Sequence, residues 1–387
     1  MTTSSRFAGA ISSLTWNGKQ FINSDDHGRE LQSASSFDGL GECFNPTEAG
    51  SSYDGASSTS QLLGIQASGH QLKTTAKMAF WLKANSYYRG NNCGATTFKN
   101  AQNTTDLSQH KLSKQVTIGF AGIENVIEYL VTFNVPENHE SAVFEALTGY
   151  MPTQFSSFFT YDVKQDILAP IPDSPPGEQS LPLIFSTPDQ RHAMGIYSPD
   201  LPQANFPMFG YGKFSFISQN TVKWNTVFRT GATPTGDYSY RAYVVVGGLQ
   251  QVKIGMNEVA QHFGQAPSIQ DHSIGGVIDG IFGPADAPYI QGWACASHSD
   301  QSITVHLYLG GSAGSGTLVG GYPANAPSEP AISSACHSYG SAYRYNIPIT
   351  AQMRAQFFGK SIYVHGIDPF SGYSNDLLGR SGEFKIP

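Results

Sequence analysis

Residues 21–50, "FINSDDHGRELQSASSFDGLGECFNPTEAG", gather Asp25, Asp26, His27, Arg29, Glu30, Asp38, Glu42 and Glu48 in a chain that is only 13% charged. Taken from 25 to 54, the stretch holds seven carboxylates and one arginine. Such crowding costs repulsion unless a ligand, a metal ion or hydrogen-bond donors offset it, and it is also what drives carboxyl pKa values apart. Two carboxyl groups with separated pKa values, roughly 5–10 Å apart, are what acid/base cleavage of a glycosidic bond requires. Glu30, Glu42 and Glu48 are the leading carboxylates. In "DDHGRE", His27 titrates near neutrality and suits protonation of a leaving oxygen, while the planar fork of Arg29 suits a carboxylate or hydroxyl.

Other residues extend the set. "CFNPTEAGSSYDG" carries Asn45, Glu48 and Tyr53 on a loop held at one end by Cys43. Later come His192 before a strand, Tyr211 in "GYGKF" and Trp224 in "VKWNTVF". Aromatic rings on an exposed sheet stack on sugar faces, whereas on the opposite face they fill the core, the reading favoured for Trp224. His192 and Tyr211 suit a base and a proton donor if the reaction is an elimination from a uronate. The expected catalytic residues are therefore His27, Glu30, Glu48 and His192, with Arg29, Asn45, Tyr53, Tyr211 and Trp224 binding substrate. The competing reading is a solvated loop whose acids cap turns or hold a structural calcium through oxygen ligands, with no other cofactor.

The elements that must position these groups read as strands. The chain has 387 residues, 40% hydrophobic, with 41 glycines, 22 prolines, 24 phenylalanines and 19 tyrosines, the composition of a turn-rich β protein. "LKTTAKMAFWL", "KQVTIGF", "VIEYLVTFNVP", "SLPLIFSTP", "AMGIYSP" and "SYRAYVVVGGL" are strand-like, several alternating apolar with polar residues. One short helix is expected around 257–265, ended by Gly264, with "VGGLQ" before it a loop or hairpin. Between 262 and 275 the pattern breaks into Gly, Pro, Ser and Gln, which predicts a linker. Beyond it, "YIQGWACAS", "SITVHLYLGG", "AYRYNIPIT" and "KSIYVHGID" predict a small antiparallel sandwich. The division is 1–262 and 275–387.

Four cysteines fall as Cys43 and Cys93, then Cys295 and Cys336, which predicts two local disulfides and an exported protein. None has zinc-ligand spacing. A net charge of -7 without basic runs argues against nucleic acid and anionic lipid, and no apolar run is long enough to span a bilayer. No Walker loop or HExxH helix occurs, and the glycine-rich "YLGGSAGSGTLVGG" lacks the strand-to-helix context of a GxSxG nucleophile elbow. "NTT" at Asn103 is a single glycosylation sequon.

The opening "FAGAISSLTWNGKQFINSDDHG" resembles the first strand, Asn-Gly hairpin and polar loop of galactose mutarotase-like proteins. "RHAMGIYSPD" and "TVKWNTVFRTGATPTGDYSYRAYVVVGG" resemble that fold's late strands. The resemblance covers about residues 5–260 and implies an all-β antiparallel supersandwich, a fold shared by sugar epimerases, polysaccharide lyases, glycoside hydrolases and non-catalytic carbohydrate-recognition domains. Fold alone does not choose among these. The epimerases' full His, Asp and Glu set has no match here. The leading expectation is a secreted carbohydrate-active enzyme that hydrolyses a polysaccharide or oligosaccharide, with the C-terminal sandwich as an accessory module. A lyase, an epimerase or a sugar-binding adhesion protein remain the alternatives.

Overall fold

A computed structural model describes residues 1–90, 93–266, 273–297, 299, 301–336, 338, 340–367 and 375–387. The chain is mostly antiparallel β-structure and divides into two compact units, Met1–Ser268 and Ile269–Pro387. The linker expected between 262 and 275 includes 267–272, which lie outside the described residues.

In the first unit, one branch of sheet runs outward from strand Gln71–Phe80 through Leu107–Phe120, Ile123–Val135 and Gly236–Gly247 to Ala193–Tyr197. A second branch pairs Leu31–Phe37 with Ala142–Pro152, then Thr221–Thr230, then Tyr211–Phe216. The short strand Pro46–Thr47 joins the branches by pairing with both Leu31–Phe37 and Gln71–Phe80. Both contribute to a single core: Leu112, Val116, Tyr129 and Phe133 from the first, Phe37, Phe144, Met151 and Trp224 from the second. Strict alternation along Leu107–Phe120 aims Ser108, His110, Leu112, Lys114 and Val116 inward. A histidine and a lysine at core positions demand partners, since buried polar groups without them are costly.

At the start of the chain, "WNGK" forms the expected hairpin: Thr15–Trp16 pairs with Lys19–Gln20 across Asn17 and Gly18, whose φ values of 46° and 75° are the left-handed pair that such a turn demands. The helix is longer than its sequence suggests. It spans Leu249–His262 and begins one residue after Gly248, so "VGGLQ" is a strand-to-helix junction rather than a hairpin. Leu249, Val252, Met256, Val259 and Ala260 recur at helical spacing and pack on Val126, Tyr243 and Val245 of the sheet.

Among the described residues the second unit has two four-stranded sheets, one built on Tyr289–Ala296 and Ala342–Pro348, the other on Thr304–Leu309 and Ile362–Ile367. Ile290, Ala294, Tyr345 and Ile347 of one meet Val305, Leu307, Ile362 and Val364 of the other in a separate core. Both disulfides form, Cys43–Cys93 in the first unit and Cys295–Cys336 in the second. No described helix is long and apolar enough to cross a membrane.

Candidate functional site

A cleft of about 310 Å³ opens on the first unit. One wall comes from the acid-rich stretch: Asp26, Gly28, Arg29 and Gln32, then Glu42, Asn45 and Thr47. The opposite side is sheet, with Glu145, Thr148 and Tyr150 from Ala142–Pro152 and Lys223 from Thr221–Thr230. Trp81 and Tyr88 add aromatic surface.

Local backbone geometry explains the sheet side. In a regular strand Glu145 and Thr148 would face opposite ways, because side chains alternate with period two. The register against both neighbouring strands shifts just after Glu145, the mark of a bulge, and the extra residue brings Glu145 onto the face of Thr148 and Tyr150. Tyr150 stands opposite Lys223 in the register, and Gly149 opposite Trp224. A Cβ at Gly149 would lie 2.4 Å from the Trp224 ring, so glycine there lets the indole pass beneath the floor.

The charges in this cleft are ordered. Lys223 Nζ lies 2.9 Å from Glu145 Oε2 and donates a hydrogen bond of 3.2 Å to Oε1. Burial alone would raise the Glu145 pKa, but the Lys223 ammonium, with hydrogen bonds from Lys223, Asn225 and Thr148, outweighs it and holds the carboxyl below the usual range. Glu42 is displaced the other way: burial raises its pKa and the nearby Glu145 charge adds to that, against the pull of Lys223 and of Asn45. The Asn45 amide donates to Glu42 Oε2 at 3.3 Å. Burial pushes the Tyr150 phenol up to about 12 and so keeps it protonated. Lys223 is raised because Glu145, Tyr150 and Glu42 outweigh its own desolvation. The result is one carboxyl displaced upward, one displaced downward and one cation around a single space.

Arg29 closes the mouth. Its guanidinium donates to the Gln219 carbonyl at 2.9 Å and to the Gln219 side chain at 3.3 Å, and its Nε lies 3.0 Å from Asp26 Oδ2.

The other residues singled out from sequence lie elsewhere. His27 is buried, its two ring nitrogens 3.1 Å from the Ala49 carbonyl and 2.7 Å from that of Gly55, so it clamps a loop. Glu30 is wholly buried, and burial raises its carboxyl to about 8. Glu48 forms a buried ion pair with Lys114 at 2.5 Å and accepts the Ser33 N–H at 3.0 Å; burial pushes its carboxyl up against the pull of Lys114. His192 sits edge-on to Trp16, with 5.8 Å between ring centroids. Tyr211 is buried, its hydroxyl accepting from the Ser198 N–H at 2.9 Å. Trp224 is core, and Tyr53 is an exposed ring on a turn outside the cleft lining. Asn103 is buried, its amide donating to the Leu82 and Thr105 carbonyls, which leaves it no room for a glycan.

Sequence reasoning passed over Glu145, Tyr150, Lys223, Trp81 and Tyr88. Glu145 carried one faint signal, a charged residue inside a mostly apolar strand. A second groove, of about 870 Å³, is lined by Asp162, Lys164, Tyr197, Pro207 and Gln265, with Asp162 the one carboxylate in its described lining.

The chain matches no protein-family model and no curated protein. Among solved structures it is similar to an α-mannosidase from Enterococcus faecalis V583, at 11% identity and a TM-score of 0.37, over 74% of this chain and 34% of that one. It is also similar to a polysaccharide lyase, at 9% identity and a TM-score of 0.32, over 92% of this chain and 43% of that one. The chain thus spans less than half the length of either. At that distance the functional reading rests on the cleft itself.

Proposed function

We propose that the first unit is the catalytic part of a secreted carbohydrate-active enzyme, on a galactose mutarotase-like supersandwich, that hydrolyses glycosidic bonds in the cleft between Glu42 and Glu145. The observation that carries the reading is the opposed displacement of two carboxyl groups lining one cleft: Glu42 upward, Glu145 downward. That is the division of labour between a general acid and a base or nucleophile. Glu42 would give its proton to the leaving glycosidic oxygen, while Glu145, kept ionised by Lys223, would attack the anomeric carbon or take a proton from water. Trp81 and Tyr88 offer faces for a pyranose ring, and Asn45, Gln32 and Arg29 offer hydrogen bonds to hydroxyls. The disulfides fit an oxidising compartment.

Elimination is the second reading, suggested by Tyr150 beside Lys223 in the same cleft. A phenol held at about 12 is a poor base near neutrality, which favours hydrolysis. Incubation with a panel of neutral and uronic polysaccharides separates the two, since hydrolysis yields reducing ends alone and elimination adds the ultraviolet absorbance of an unsaturated uronate. On a cleaved substrate, Glu42→Gln should lower kcat by about a hundredfold or more and flatten the basic limb of the pH profile, with little change in Tm. Full activity in Glu42→Gln and in Glu145→Gln would refute the assignment.

A further inference from the structure

On the inward face of strand Leu107–Phe120, His110 is 2% exposed, and both of its ring nitrogens are without a hydrogen-bond partner among the described residues. Buried polar atoms are normally satisfied, so two on one ring call for an explanation. Across from it, in the loop after Ile123–Val135, stands His139, whose side chain is 6% exposed and whose Nε2 is likewise unpartnered. Its other nitrogen, Nδ1, lies 2.8 Å from Asp38 Oδ2. An ionised carboxylate can only accept, so Nδ1 carries the hydrogen and, in a neutral ring, Nε2 is the nitrogen left with a lone pair. That lone pair lies 3.7 Å from Glu137 Oε1.

We propose that His110, His139 and Glu137 bind a divalent transition-metal ion of the zinc class. One ligand atom from each lies within 4.8 Å of the others. Ligands of a tetrahedral zinc at about 2.0–2.1 Å stand about 3.4 Å apart, so the set is nearly closed. Glu137 Oε1 and His139 Nε2, 3.7 Å apart, are already near that spacing, and the Glu137 side chain is 48% exposed, so it has room to adjust. Asp38 on the far nitrogen of His139 is the outer partner that orients a metal-ligating imidazole and raises its basicity. Asp38 is itself fixed by the backbone N–H groups of Glu140 and Ser141. Two imidazoles and one carboxylate select zinc-class metals over calcium, which takes oxygen ligands. Phe37 and Phe44 pack on both imidazole rings and Phe80 on that of His110, making a dry shell, while Glu137 leaves a fourth position open toward solvent. The site is independent of the chemistry in the Glu42 cleft.

The test uses the full chain stripped with chelator and titrated with Zn²⁺ by calorimetry, and with Co²⁺ by visible absorption. The expected result is one saturable site per chain, a tetrahedral Co²⁺ spectrum and a Tm that rises with added Zn²⁺. His110→Asn and His139→Asn should abolish binding, and Glu137→Gln should weaken it at least tenfold. Should the histidine variants fail to fold, Glu137→Gln decides alone, because its side chain is half-exposed. Absence of saturable binding, unchanged affinity in Glu137→Gln, or tighter binding of Ca²⁺ than of Zn²⁺ would overturn the proposal.

Discussion

A carboxyl group sealed from water keeps its proton, and Glu30 shows what that does to stability. Its pKa is about 8 in the folded chain, raised first by burial, against 4.5 for the free side chain. Between those values the folded state holds a proton that the unfolded state has lost, so stability falls as pH rises through this window. The contribution is fully present below pH 4.5 and gone above about 8, and it amounts to a few kcal/mol. Glu30→Gln keeps the shape without the titration. Its urea-derived stability should match that of the parent near pH 4.5 and exceed it by a few kcal/mol at pH 8. A gap that does not change with pH would show that Glu30 titrates normally. Glu48 solves the same burial differently, by pairing with Lys114. The acid cluster thus serves different ends: Glu30 and Glu48 lie inside the fold, and Glu42 faces the cleft.

At the scale of elements, the turn Gly41–Phe44 carries Glu42, which lines the cleft, Cys43, which forms the disulfide, and Phe44, which packs against the core. Cys43 joins Cys93 across 50 residues, and a loop of that length contributes about 4 kcal/mol in the chain-entropy picture. Cys43→Ala with Cys93→Ala should therefore lower stability by roughly 2–4 kcal/mol. It should also lower kcat, because Glu42 loses the anchor beside it; unchanged kcat at a temperature where the variant is folded would mean that the turn is held by packing alone. The pairing of Cys43 with Cys93 was legible from spacing, and so were the strands with clean alternation, such as Leu107–Phe120 and Gly236–Gly247. The sheet side of the cleft was not legible. It depends on a bulge after Glu145 that reverses which residues share a face, and on pairing between strands some 75 residues apart in sequence. The helix Leu249–His262 was seen only in its second half, because "VGGLQ" at its start read as a loop or hairpin. Gly255 is there for packing, since a Cβ on it would come within 2.8 Å of Val245.

At the scale of the whole molecule, each unit has its own hydrophobic core and its own disulfide. Every residue assigned to the cleft or to the metal cluster lies in the first unit. Cooperative folding follows the core rather than the chain, so the two should be separable. Expressed alone under oxidising conditions, residues 1–266 and 273–387 should each melt in one cooperative transition. The first fragment should keep its kcat/KM on a short soluble oligosaccharide within a few-fold, since such a substrate needs only the Glu42 cleft. If an accessory role for the second unit is right, activity on insoluble polymer should fall when it is removed, because binding by a second module raises the local substrate concentration. A first fragment that binds a hydrophobic dye and lacks near-ultraviolet circular dichroism would show that its core needs the second unit to close, and the division would fail.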